Sequence, residues 1–273
     1  MKMVSRFSLL LLVLLFLGCG DDDDMVTTSN GDGPLIRMER ALDDVFYEWT
    51  DVTYDGDQNL ASIAVQTEAF LLQTYEVTYA AGEPTALTLT VDNSLSGNTT
   101  VFEYDVIREG NEITLRESDG EDKFVYGVSD GYINYGKAFY GPSNAYFNET
   151  IFTRDADNNI DTIAYLATDA NSTGLKVFEY TFYDHTSDFA LPGVYNPVYH
   201  FSFTAFDAQF VHLLGLKISQ QAPLQSSYWD AGGNFRAENI TAVPMLDNDR
   251  LQELQYDDQG AGNDGYLLRF IYE

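Results

Sequence analysis

The single cysteine of this 273-residue chain, Cys19, has the clearest chemistry because of what flanks it. Upstream come Lys2 and Arg6, the apolar stretch Leu9 to Leu17, and the small Gly18; downstream stand Asp21 to Asp24. A cationic start, a short apolar core and a small residue are the parts of a cleaved export signal, and the core is too short to span a bilayer. Cleavage before Cys19 would present its thiol for lipidation, and a diacyl or triacyl group there gives the two-chain anchoring that one lipid cannot. The match to a lipobox is good, although Phe16 and Leu17 stand where such boxes more often carry Leu and then a small residue. With no second cysteine an intramolecular disulfide is impossible, so the mature fold must rest on its core.

Two other sets of residues could do chemistry. Asp55-x-Asp57-x-Asn59 and Asp155-x-Asp157-x-Asn159-x-Asp161 place oxygen ligands at alternate positions, as calcium loops do. Their sixth positions are Leu60 and Ile160 and their twelfth Gln66 and Leu166, where a calcium loop needs Gly and Glu, and Asp and Asn are equally the residues of tight turns. The histidines are His185, His200 and His212. His185 adjoins Asp184 and His212 lies near Asp207, so a base and its orienting carboxylate could be assembled in space. His200 and His212 sit among Phe201, Phe203, Val211 and Leu213, which favours buried structural histidines instead. No G-x-S-x-G elbow, H-E-x-x-H helix or glycine-rich phosphate loop is present. A glycosidase needs only two well-separated carboxylates, and 43 acids neither locate nor dismiss such a pair. The reading is a non-catalytic chain with no cofactor beyond weakly supported calcium, and a glycan hydrolase as the lesser alternative.

Charge narrows the partners. Removal of residues 1–18 leaves 12 basic against 43 acidic residues, a formal charge of −31 over 255 residues. Such a surface repels nucleic acid and anionic headgroups, and favours solubility at high density.

The elements that must position these groups are strands. With 18 Phe and 19 Tyr the composition is that of pleated, half-buried surface. Short alternating runs punctuated by Asp, Asn and Gly, at 74–84, 99–118 and 175–184, read as antiparallel hairpins. In VFEYDV, Phe102 and Tyr104 point one way and Val101, Glu103 and Asp105 the other, so one face is aromatic and the other wet. Residues 35–49 carry a helical spacing but read better as a hairpin turning at Asp43-Asp44. Residues 207–219 predict a short helix, with Asp207 as its cap, closing one end of the sheet.

The chain also repeats itself. Residues 52–66 align without gaps on 152–166, matching at Thr53/Thr153, Asp55/Asp155, Asp57/Asp157, Asn59/Asn159, Ile63/Ile163 and Ala64/Ala164, and VFEY occurs at 101–104 and 177–180. Looser copies lie in 228–235 and 254–273. This Tyr-Asp turn followed by Asn and an apolar strand is similar to the tyrosine-aspartate hairpin repeats of rearrangement-hot-spot-type proteins. It more closely resembles a group of Bacteroidota surface lipoproteins of unknown function, whose repeats form a long, curved, porin-like antiparallel sheet. The stretch YDHTSDFALPG (183–193) resembles that group's mid-domain break, with Ser187, Asp188 and Phe189 where the group often has Asn-Pro. The Asp run after Cys19 is similar to the acidic surface-export signals of such lipoproteins. The resemblance implies an all-β fold and an outer-membrane, outward-facing location, and carries no catalytic residues.

The organisation expected is a signal peptide at 1–18, an acidic tether at 19–33 spanning about 20 Å, and one all-β domain at 34–273. That domain reads as a long curved antiparallel sheet or open half-barrel built from hairpins, with at most one or two short helices. Its partners would be the membrane, through the lipid on Cys19, and a glycan or an outer-membrane protein. Sugar stacking predicts aromatics clustered in an exposed groove; a structural lipoprotein predicts them buried in register. Metabolic labelling with a fatty-acid analogue should mark the wild-type chain and fail to mark Cys19→Ala; label retained by the variant contradicts the lipidation.

Overall fold

The computed structural model describes residues 33–42, 45–67, 71–140, 146–169, 172–189, 192, 194, 207–229, 235–258 and 266–273. They form sixteen strands: β1 (Leu35–Leu42), β2 (Val45–Tyr54), β3 (Leu60–Thr67), β4 (Leu71–Ala80), β5 (Glu83–Asn93), β6 (Asn98–Glu109), β7 (Glu112–Glu117), β8 (Asp122–Ser129), β9 (Tyr132–Tyr140), β10 (Tyr146–Arg154), β11 (Ile160–Asp169), β12 (Ser172–Thr186), β13 (Ala222–Trp229), β14 (Phe235–Asp247), β15 (Arg250–Asp258) and β16 (Tyr266–Tyr272). Each pairs antiparallel with its neighbours in sequence, and β16 pairs with β1, so the sheet closes into a barrel. The expected all-β antiparallel sheet of hairpins is present, and its two edge strands meet. The seam is sealed because Met38 and Phe270, 4 % and 1 % exposed, face inward side by side. On the outer face Arg269 reaches Glu39 at 3.8 Å across the same seam and Glu253 of β15 at 3.2 Å on its other side.

The hairpins follow from local chemistry. Ala81 and Gly82 both adopt left-handed φ, 53° and 82°, the two-residue turn whose twist matches the strands it joins, β4 and β5. Leu42 pairs with Val45, so residues 35–49 form the expected hairpin rather than a helix; Asp43-Asp44 themselves lie outside the described residues. Residues 175–184 do not form a hairpin but run within the fifteen-residue β12, because β11 pairs on one side of it and β13 on the other.

Alternation assigns every strand an inner and an outer face. One row across β3 to β6 is Ile63, Tyr75, Leu89 and Phe102, buried or nearly so; the adjacent row is Ser62, Glu76, Thr88 and Glu103, wet throughout. Farther round, Arg116 meets Asp122 at 2.6 Å and Lys137 meets Glu149 at 3.5 Å on the outside. The core therefore fills the barrel, and the wall carries charge outward. This is the reverse of a membrane-spanning barrel, whose outer face must be an apolar band. Among the described residues no helix is long and apolar enough to cross a membrane.

Connections alternate between the two ends. The β2–β3, β4–β5, β6–β7, β8–β9, β10–β11 and β14–β15 turns share the end where β1 begins and β16 finishes. That end also receives the one long connection, residues 187–221 between β12 and β13, where the sequence shows its mid-domain break. It contains the helix α1 (Ala208–Leu213), shorter than the expected 207–219. Asp207 caps it by accepting from the Gln209 N–H, and Gly215, at φ 73°, ends it. The Gly215 and Leu216 N–H groups bond back to the carbonyls of His212 and Val211. The helix lies inside the lumen against β3 and β4. Its Phe210, 0 % exposed, meets Tyr75, Tyr104 and Phe124 edge-on at centroid distances of 5.2, 5.4 and 5.3 Å. Phe210→Ala should cost about 3–5 kcal/mol, measured by urea unfolding; a loss near zero shows that the helix does not pack in the lumen.

Candidate functional site

The end that holds α1 brings together most of the residues singled out from sequence. The two repeat turns are built alike. Asp55 accepts through one oxygen from the N–H groups of Asp57 and Asn59, at 2.9 and 2.8 Å, and through the other from the Asn59 side-chain amide at 3.0 Å. Asp155 does the same with Asp157 and Asn159, at 2.9, 2.9 and 3.0 Å. Gln58 and Asn158 take left-handed φ of 66° and 64°, and below the turns the outer hydroxyl pairs Thr53–Ser62 and Thr153–Thr162 both lie at 2.7 Å. The hydrogen bonds from Asn59 and Asp57 hold the Asp55 carboxyl below its ordinary range. Burial pushes Asp155 upward, but its hydrogen bonds from Asn159 and Asp157 outweigh that and leave it lowered too.

Both oxygens of each leading carboxylate are thus turned onto their own turn, while Asp57, Asp157 and Asp161 stand exposed to solvent. Among the described residues no three His, Cys, Asp or Glu side chains converge as a metal site.

The copies differ in what lies over them. The returning part of the 187–221 connection lands on the β10–β11 turn: Gln220 N–H donates to the Asn158 carbonyl at 3.1 Å, and Ile160 N–H to Ser219 Oγ at 3.0 Å. Asn159 is consequently 5 % exposed, with its Oδ1 unpartnered, whereas Asn59 keeps more contact with solvent.

Inside the lumen a polar cluster surrounds the start of α1. Tyr75 donates to Asp207 Oδ2 at 2.9 Å, joining residues 132 positions apart, and Tyr126, 0 % exposed, carries a hydroxyl without a partner. Burial raises Tyr75, Tyr104 and Tyr126 well above the ordinary phenol value, reinforced in each case by the charge of Asp207. Burial also raises Asp207 from 3.8 to about 6, against the opposing bonds from Tyr75 and the Gln209 and Phe210 N–H groups.

His212 is 5 % exposed and neither ring nitrogen has a partner, so burial lowers it to about 4. Asp207 is therefore no orienter for His212, despite their closeness in sequence. His185 lies with Nε2 at 2.7 Å from the Ile160 carbonyl oxygen, and His200 falls outside the described residues, as does Cys19.

Among the described residues, the exposed large apolar side chains include two aromatics, Trp49 and Tyr140, and they stand on β2 and β9, seven strands apart. A hollow of about 360 Å³ at the opposite end of the barrel is lined by Gln66, Leu72, Asp92 and Thr99 under the β5–β6 turn, with no aromatic ring in its lining.

No protein-family model matches the chain, and no curated protein matches it. Among solved structures it is similar to a porin-like protein from Bacteroides vulgatus ATCC 8482, at 11 % identity and a TM-score of 0.49, over 89 % of this chain and 99 % of that one. It is also similar to a porin-like protein from Bacteroides uniformis ATCC 8492, at 11 % identity and a TM-score of 0.42, over 88 % and 98 %.

Asp207 and His212 act oppositely on stability. Between about pH 4 and 6 the folded chain keeps the Asp207 proton that the unfolded chain releases, so this group withdraws stability as pH rises. Between about pH 6.5 and 4 the unfolded chain takes up a proton that folded His212 refuses, so stability is lost as pH falls. Asp207→Asn should thus lose stability on acidification from pH 6 to 4.5, by about 1.4 kcal/mol per pH unit, where the wild-type chain changes little. His212→Leu should gain stability over the same interval, as urea titrations at the two pH values will show.

Proposed function

We propose that this chain is an outer-membrane lipoprotein, held by lipid on Cys19, whose barrel stands in water beside the bilayer as a non-catalytic structural or binding module. The observation that carries this reading is the sidedness of the wall: apolar side chains fill the barrel and ion pairs such as Arg116–Asp122 and Arg269–Glu253 cover it. Strands with that polarity cannot be solvated by lipid tails without burying unscreened charge. A lipid and an acidic tether then supply the membrane association that the wall does not. The tether precedes β1, which begins at the end that holds α1. The high negative charge keeps such modules apart at a crowded surface. Aromatics such as Tyr126, Tyr180 and Phe270, all within 1 % of full burial, support core filling over an exposed stacking platform for sugars.

Wild-type protein should float with liposomes, and Cys19→Ala should remain soluble and monodisperse without detergent and give no step conductance in planar bilayers. A Cys19→Ala chain that needs detergent, or that opens channels, overturns the proposal.

A further inference from the structure

With 43 acidic residues available, a basic side chain in this protein finds a carboxylate almost by default. Arg37, Arg40, Arg108, Arg116, Arg269, Lys123 and Lys137 each lie within 4.0 Å of one. Arg154 and Lys217 do not, and they meet at one place, around the ring of Tyr132. The Arg154 guanidinium carbon lies 5.4 Å and the Lys217 Nζ 5.9 Å from that ring's centroid.

The backbone builds this meeting. Lys217 lies beside Tyr132 in a parallel bridge, with its N–H donating to the Gly131 carbonyl at 2.9 Å and its carbonyl accepting from Ile133 at 3.1 Å. Arg154 ends β10 on the same inner face as the buried Phe152, whose ring it also overlies at 5.9 Å. Two of its five N–H donors are used, on neutral groups: Nη1 donates to Asn134 Oδ1 at 3.3 Å and Nη2 to the Ile218 carbonyl at 2.9 Å. Its Nε is buried and has no partner.

Burial lowers this guanidinium to about 10, with no carboxylate opposing the fall. A half-buried cation left without a counter-charge is costly, and seven other described cations each have a carboxylate at hand. Residues 190–206 of the connection contain no Asp or Glu to supply one.

The geometry points to an oxyanion receptor at the α1-bearing end of the barrel: Arg154 and Lys217, both beside the ring of Tyr132, bind a carboxylate, sulfate or phosphate group of a small ligand. The unused Nη protons of Arg154, on a half-buried guanidinium, offer the donors. Lys217, exposed to solvent, supplies the second positive charge, so the group is reached from outside the barrel. The buried Tyr132 ring, 8 % exposed, is the apolar surface the two cations share.

The test is calorimetric titration of the mature chain at pH 7 with sodium sulfate, phosphate and acetate in turn, at constant ionic strength against a chloride control. Saturable binding of at least one anion is expected. Acetate alone assigns the site to carboxylates, and sulfate or phosphate alone to tetrahedral groups. Lys217→Gln removes a side chain that makes no hydrogen bond and should fold normally while weakening binding about tenfold; Arg154→Lys should weaken it more. Absence of saturable heat with all three anions, or equal affinity in Lys217→Gln and wild type, overturns the assignment.

Discussion

Sixteen strands closed on themselves enclose more space than the side chains of the wall can fill. About eight strands give an interior that side chains just occupy, and sixteen to eighteen ordinarily leave a water-filled channel. This barrel turns apolar residues inward, so its lumen must be packed, and the rest of the molecule follows from that requirement. Tyr and Phe are used because each ring delivers more buried surface than an aliphatic side chain. The lumen that remains is entered by the connection between β12 and β13, whose Phe210 meets rings from β4, β6 and β8.

Filling a wide barrel with backbone brings polar groups into a place with little water. Asp207 caps α1 and is capped in turn by Tyr75, which satisfies both. His212 and the Tyr126 hydroxyl are left without partners, and burial moves their protonation equilibria accordingly. The plugged end thus combines close ring packing with polar groups whose protonation burial has shifted.

The internal repeat acquires a geometric meaning in the closed barrel. The segments at 52–66 and 152–166 fall on the β2–β3 and β10–β11 hairpins, eight strands apart, which is half of the circuit. Their turns share hydrogen bonds almost atom for atom. The second holds the connection that plugs the lumen, through Asn158 and Ile160. The other repeated tetrapeptide, VFEY, falls on β6 and β12, six strands apart, and does not follow this half-barrel offset.

What the sequence determined by itself is local. Alternation placed Phe102 and Tyr104 on one face and Glu103 and Asp105 on the other, because a strand has a period of two whatever surrounds it. Asp-x-Asp-x-Asn announced its turns because those side chains bond to their own backbone, and Asp207 announced a helix start for the same reason. Closure of the sheet depends instead on β1 meeting β16, a pairing of segments more than two hundred residues apart with no local signature. The Tyr75–Asp207 bond and the gathering of Arg154, Lys217 and Tyr132 likewise join residues that only the packed lumen brings together. The tertiary structure decided these because long-range contacts are chosen by shape and by the exclusion of water, which no short window of sequence encodes.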